Sequence, residues 1–206
     1  MLTESPIEIT EQLIMNQPMV YGGSWGWTRK YGGYLANLVM DRINESVMSQ
    51  ILHHALAGYH PVIDTKVVQL MPGQYPCIPG WHCDGVIRKA RGEQPDLNTL
   101  NEHVMHYVCS FCSEDTSKTS VMLDSINLDV DENNVWSSVN EQVKPNRVKH
   151  LRSGQVGMFT RDRLHQGTPA TKRCWRYFFR LSFYHMPAMN QLRKQVQVYT
   201  DVGKGW

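Results

Sequence analysis

Gly154-Gln-Val-Gly-Met-Phe-Thr160, Arg161-Asp-Arg-Leu-His165-Gln-Gly-Thr-Pro169 and Cys174-Trp-Arg-Tyr-Phe-Phe-Arg-Leu-Ser-Phe-Tyr184 follow one another with only a short break. The first is a short apolar strand bounded by glycine. The last is dense in aromatics, which suit a pleated, half-buried surface. Ala170-Thr-Lys-Arg173 between them reads as a polar turn. His165 is therefore expected on the first arm of a hairpin, with arginines on the second. On that second arm Arg176, Phe178, Arg180 and Ser182 share one face by strand alternation.

Working outward, the same β pattern extends back to about residue 60. Short strands are predicted at 63–71, 80–86, 103–111, 119–130, 148–151, 155–160, 164–167 and 175–184. Ahead of them, Leu35, Leu38, Val39, Ile43, Val47, Ile51 and Leu52 recur at helical spacing, and Gly58 and Pro61 stop the helix. Many short strands behind one helix predict a mainly β fold with an N-terminal helix, arranged as a double-stranded β-helix, the cupin-like jelly roll. A single domain over 1–206 is read: loop and helix over 1–60, jelly-roll core over 63–186, tail over 187–206.

His82-Cys83-Asp84 is the chemically informative tripeptide. On a strand, residues i and i+2 project to one face, so His82 and Asp84 go together and Cys83 turns away. With nine histidines and nineteen acids in the chain, such a tripeptide also arises by chance. A second imidazole from a distant strand, His165, would complete a two-histidine, one-carboxylate set with open coordination positions, the ligand pattern of non-heme Fe(II) oxygenases. A jelly roll brings sequence-distant strands side by side and so lets His165 reach the tripeptide.

The ordered set His82-x-Asp84, a long gap, His165, then Arg176 or Arg180 resembles the Fe(II)- and 2-oxoglutarate-dependent dioxygenases. His165-Gln-Gly-Thr-Pro169 with the later Arg176-Tyr177 is similar to the distal-histidine hairpin of prolyl-hydroxylase-type members, and Pro72-Gly73-Gln74 to the segment they carry ahead of His-x-Asp. The match runs from about 63 to 186. The resemblance implies Fe(II) held by His82, Asp84 and His165, with 2-oxoglutarate as cosubstrate. Its distal carboxylate needs a planar, permanently charged, bidentate partner, which is arginine. Arg176 has the prolyl-hydroxylase-like spacing and is preferred. Arg180-Leu-Ser182 resembles the Arg-x-Ser pair of other branches, in which the serine adds a hydrogen bond. Because Asp84 fills the carboxylate position, hydroxylation or oxidative demethylation is expected rather than halogenation.

Composition bounds the rest. The 206 residues are 41% hydrophobic and 19% charged, with a formal charge of +2. That gives no strong argument for nucleic acid or membrane. No secretory leader and no spanning segment are read at the sequence level. Five cysteines at irregular spacing suit a reduced, cytoplasmic protein. Cys109-Ser-Phe-Cys112 lacks the second pair of a zinc site and reads as buried structural thiols. His53, His54, His103 and His106 read as structural or surface groups.

Tyr21-Gly-Gly-Ser-Trp-Gly-Trp-Thr-Arg-Lys-Tyr-Gly-Gly-Tyr34 reads either as a glycine-hinged loop over the site or, preferred, as an irregular segment packing its tryptophans on the core. Arg88–Glu102 is a polar insert of lid length. A small molecule or amino acid is the leading substrate class, a nucleic-acid base the next, and a protein side chain the third. A non-catalytic jelly-roll module binding an anionic ligand is the main rival; a cupin dioxygenase without 2-oxoglutarate would normally show more histidines. The oligomeric state is left open.

Overall fold

The computed structural model describes residues 8–84, 87–88, 95–97, 105–127, 130–131 and 133–200. In chain order the helices are α1 (Glu11–Met15), α2 (Trp25–Tyr31), α3 (Gly33–Leu56) and α4 (Val135–Glu141). The strands are β1 (Val20–Tyr21), β2 (His60–Leu70), β3 (Gln74–Tyr75), β4 (Ile87–Arg88), β5 (Pro95–Asp96), β6 (Met105–Cys112), β7 (Thr119–Ser125), β8 (Val148–Leu151), β9 (Gly157–Thr160), β10 (Arg163–Gly167), β11 (Cys174–Tyr184), β12 (Gln191–Leu192) and β13 (Tyr199–Thr200).

The fold is mostly β, with few helices. Two antiparallel sheets dominate: a four-stranded sheet in the order β2-β11-β6-β9 and a three-stranded sheet in the order β10-β7-β8. β11 is the spine of the larger sheet, paired along its whole length with β2 and over seven residues with β6. The chain crosses repeatedly between the sheets: β6 lies in the first, β7 and β8 pair in the second, and β9, β10 and β11 then alternate between them. The expected hairpin of β10 and β11 is therefore not formed. Pro169 and the polar turn carry the chain across to the opposite sheet. Thr168 N–H donates to the Lys118 carbonyl and Ala170 N–H to the Gln74 carbonyl on the way.

Strand alternation gives the larger sheet two chemically different faces. Tyr177, Phe179, Leu181 and Phe183 of β11, with Tyr107, Cys109 and Phe111 of β6 and Ile63 of β2, pack against Leu35, Ala36, Val39, Met40 and Ile43 of α3. This is the main core, and the recurrence of Leu35, Val39 and Ile43 is the predicted helical stripe. The other face carries Asp64, Lys66, Arg176, Phe178 and Arg180. Val108 and Phe178 there meet Val121, Leu151 and Phe159, closing one part of the space between the sheets. Cys109 and Cys112, three apart, are both buried in different clusters. All five cysteines are thiols.

Tyr21–Tyr34 is largely helical. Ser24 caps α2 by accepting from Trp27 N–H, Thr28 is buried beneath it, and Trp25 packs on the main core. Glycine reads as a loop former from composition alone, but here Gly33, at φ +78°, makes the break between α2 and α3 against Pro18. The predicted strand at 119–130 ends at Ser125; of the one at 80–86, residues 80–84 hold only a bridge at His82 and the rest lies outside the described residues. The short helix near Trp136 is α4. Most of the insert 88–102, and His103, lie outside the described residues. No described helix is long and apolar enough to cross a membrane.

Thr65 ties the N-terminal segment to β2. Its fully buried hydroxyl accepts from Val20 N–H at 2.7 Å and donates to the Pro18 carbonyl at 3.1 Å. Thr65→Val keeps the shape but leaves a buried N–H unpaired. The expected loss is about 1–3 kcal/mol, read as a lower urea midpoint at unchanged m-value.

Candidate metal centre

His82 and His165 are joined by their backbones before their side chains meet. Each N–H donates to the other's carbonyl at 3.0 Å in an antiparallel bridge at the edge of β10. In such a pair the two side chains leave on the same side, and the rings lie 4.6 Å apart. Asp84, two residues on and in a turn, sends its Oδ2 to 3.5 Å from His165 Nε2. One ligand atom from each of His82, Asp84 and His165 falls within 4.8 Å of the others. This group can hold a metal ion.

The protonation states suit that task. His82 Nδ1 lies 3.0 Å from the Gly80 carbonyl, and His165 Nδ1 3.2 Å from the Arg163 carbonyl. A carbonyl only accepts, so Nδ1 is the donor on each ring, and Nε2 is the atom each ring can offer a metal. Burial, helped by the neighbouring His165, lowers His82 to about 4, so it is neutral at pH 7. Burial alone would raise the Asp84 carboxyl. Arg180 at 2.5 Å, followed by His165, instead holds it well below the usual range.

The ligand triad opens into a cavity between the sheets, lined also by Lys66, Cys77, Thr119, Arg176, Phe178 and Arg180. Arg176 is 3% exposed and donates from Nη2 to Thr119 Oγ1 at 2.8 Å. Its Nε is buried with no hydrogen-bond partner, and no carboxylate pairs with it among the described residues. A buried guanidinium half-bonded in this way is a cradle for an incoming carboxylate. Arg180 is differently placed: its Nη1 is on Asp84 and its Nη2 on Asp64 at 3.2 Å. Ser182 does not line the cavity. It is fully buried and hydrogen-bonded to His106 Nδ1 at 2.7 Å.

Sequence reasoning passed over Lys66, Cys77 and Thr119. Lys66 follows Asp64 by two on β2 and so shares its face, a signal that was available. Burial, with Arg180 nearby, lowers its ammonium. Burial raises the Cys77 thiol, and Cys77 is not among the converging ligand atoms. Thr119 comes from the opposite sheet and carries no local signal. Lys66, Arg176 and Arg180 line the cavity with one carboxylate, Asp84, and of these three cations Asp64 reaches only Arg180, from outside the lining, so the cavity favours an anionic guest.

His106, read from sequence as a structural or surface group, is fully buried and lowered by burial to about 3. Its folded value and that of His82 lie below the ordinary 6.5, so the unfolded chain takes up these protons first as pH falls. Their contribution to stability is complete above about pH 6.5 and declines toward pH 4. Asp84 acts in the same direction, but only below its ordinary value of 3.8. Chelator-treated protein should therefore show a urea midpoint that falls continuously from pH 7 to pH 4. A flat profile over that range contradicts the burial of neutral imidazoles.

No family model and no curated protein matches this chain. Among solved structures, AviO1 from Streptomyces viridochromogenes Tue57 is similar over 87% of this chain and 96% of its own, at 10% identity and a TM-score of 0.40. A likeness that slight carries no argument.

Proposed function

We propose that this chain is an Fe(II)- and 2-oxoglutarate-dependent dioxygenase on a double-stranded β-helix core. One observation carries the reading: the His82, Asp84 and His165 ligand atoms and the half-bonded Arg176 guanidinium line the same cavity. Repeated crossing of the chain between two antiparallel sheets, from β6 to β7 and through β9, β10 and β11, supports the jelly-roll assignment. Two imidazoles and one carboxylate without a thiolate suit iron(II) with open positions rather than a closed zinc site.

His82, Asp84 and His165 would hold the iron, and Arg176 with Thr119 would receive the distal carboxylate of 2-oxoglutarate. Arg176 fits that task better than Arg180, whose guanidinium is engaged by two aspartates. Bound there, the metal and cosubstrate supply oxidation of a substrate C–H to C–OH, with 2-oxoglutarate and O2 becoming succinate and CO2. The protein's part is to keep the His82 imidazole neutral, to orient both rings and to neutralise the cosubstrate dianion away from bulk water.

The test is a turnover screen: succinate formation from 2-oxoglutarate with Fe(II) and O2 over free amino acids and other small acids, nucleosides, oligonucleotides and peptides. Substrate-stimulated succinate that disappears in His82→Ala is the expected result. Stoichiometric binding of 2-oxoglutarate without succinate under any condition would instead favour a non-catalytic module for anionic ligands.

A further inference from the structure

A second cavity, of about 250 Å³, adjoins the first and shares Arg180 with it. Tyr21, Val62, Tyr184, Met186 and Met189 give it apolar walls, and Asp64 and Arg180 form its polar end. Tyr21, Met186 and Met189 are 41%, 74% and 51% exposed, so several of the chain's large exposed apolar side chains gather at one mouth. Two methionines give that mouth an adaptable wall. The space exceeds the roughly 150 Å³ that holds a benzene ring.

The polar end is not electrically balanced for the metal-loaded state. Arg180 spans Asp84 and Asp64, and Arg193 Nη2 donates to the other Asp64 oxygen at 3.0 Å while its guanidinium lies over the Tyr21 ring. In the metal-free arrangement two guanidiniums face two carboxylates. Once Asp84 serves a metal, its charge is committed to the ion. Among the described residues Arg180 and Arg193 then share Asp64 alone, and the Nε of each is buried without a hydrogen-bond partner. One positive charge is left over at the end of an apolar cavity beside the metal.

We propose that this second cavity is the substrate subsite and that it takes a monocarboxylate with a compact apolar body, its carboxylate held by Arg180 while Arg193, behind the lining, neutralises Asp64. The assignment rests on the dioxygenase reading for the word substrate, but the carboxylate site itself does not. A planar carboxylate matches the guanidinium fork, and its single charge cancels the surplus without adding a new one. An apolar body replaces water along the tyrosines and methionines.

Phenylacetate, hexanoate and N-acetylmethionine, each beside its neutral carboxamide, are titrated calorimetrically into Zn(II)-loaded protein with and without saturating 2-oxoglutarate. Zinc keeps the complex from turning over. At least one acid should bind with 2-oxoglutarate present, at least about tenfold more tightly than its amide. Arg193→Gln should weaken it by a similar factor, and Met189→Trp, which fills the mouth from an exposed position, should abolish it. Binding of none of the acids, equal binding of acid and amide, or displacement of the acid by 2-oxoglutarate overturns the subsite. Failure of 2-oxoglutarate to bind the wild-type protein sinks the dioxygenase reading alone and leaves the carboxylate titration standing.

Discussion

Replacing His82, Asp84 or His165 with alanine is expected to remove stoichiometric metal binding. Two remaining ligands cannot hold a divalent ion at useful affinity. Losing even a residue that only orients a ligand typically costs about 10–100-fold, so loss of a ligand should cost more. The three atoms converge within 4.8 Å without any other carboxylate in the lining to take over. Asp84→Asn is the most discriminating variant. It keeps the shape while removing the charge that both the metal and Arg180 use, so metal content should fall although the fold persists. Metal analysis after gel filtration, paired with thermal melting, checks this. Retention of wild-type stoichiometry in any two of the alanine variants would show that the ion sits elsewhere.

Arg176→Met is expected to separate binding from stability. Arg176 is buried without an anionic partner among the described residues, and burial works against its charge. A similarly sized apolar side chain removes that cost, so the variant should melt at or above the wild-type temperature. The same change should weaken 2-oxoglutarate binding more than tenfold, because a charge-assisted pair contributes about 1.5–3 kcal/mol. Arg180→Met should behave oppositely. It strips a cation from Asp84 and Asp64 together, and breaking a buried ion pair from one side costs about 3–5 kcal/mol. A larger effect of Arg180 than of Arg176 on 2-oxoglutarate affinity at equal fold integrity would hand the anchoring role to Arg180.

The parts of this site visible in the sequence were those with a local period. His82 and Asp84 are two apart, and so are Arg176, Phe178 and Arg180; each set reaches the cavity together. Ser182 continues the same period but lies beyond the cavity against His106, since alternation fixes a face and not a depth. Thr119 reaches Arg176 because β7 and β11 belong to facing sheets, a relation that neither segment encodes alone. The hairpin expected for β10 and β11 fails for a similar reason: a polar turn between two strands looks alike whether it reverses the chain within one sheet or carries it across to another. In α2, Gly26 has no neighbour within 4 Å of where a Cβ would lie. It sits on the solvent side, so its helix penalty is offset by the Ser24 cap and by burial of Thr28 and Trp25 on the opposite side.

The most direct test is an anaerobic calorimetric titration of 2-oxoglutarate into the protein with and without one equivalent of Fe(II). The account predicts a single site that appears only when iron is present, because the cosubstrate must reach the metal and Arg176 at once. Binding of equal strength to chelator-treated protein, or no binding to the iron-loaded protein, would contradict it.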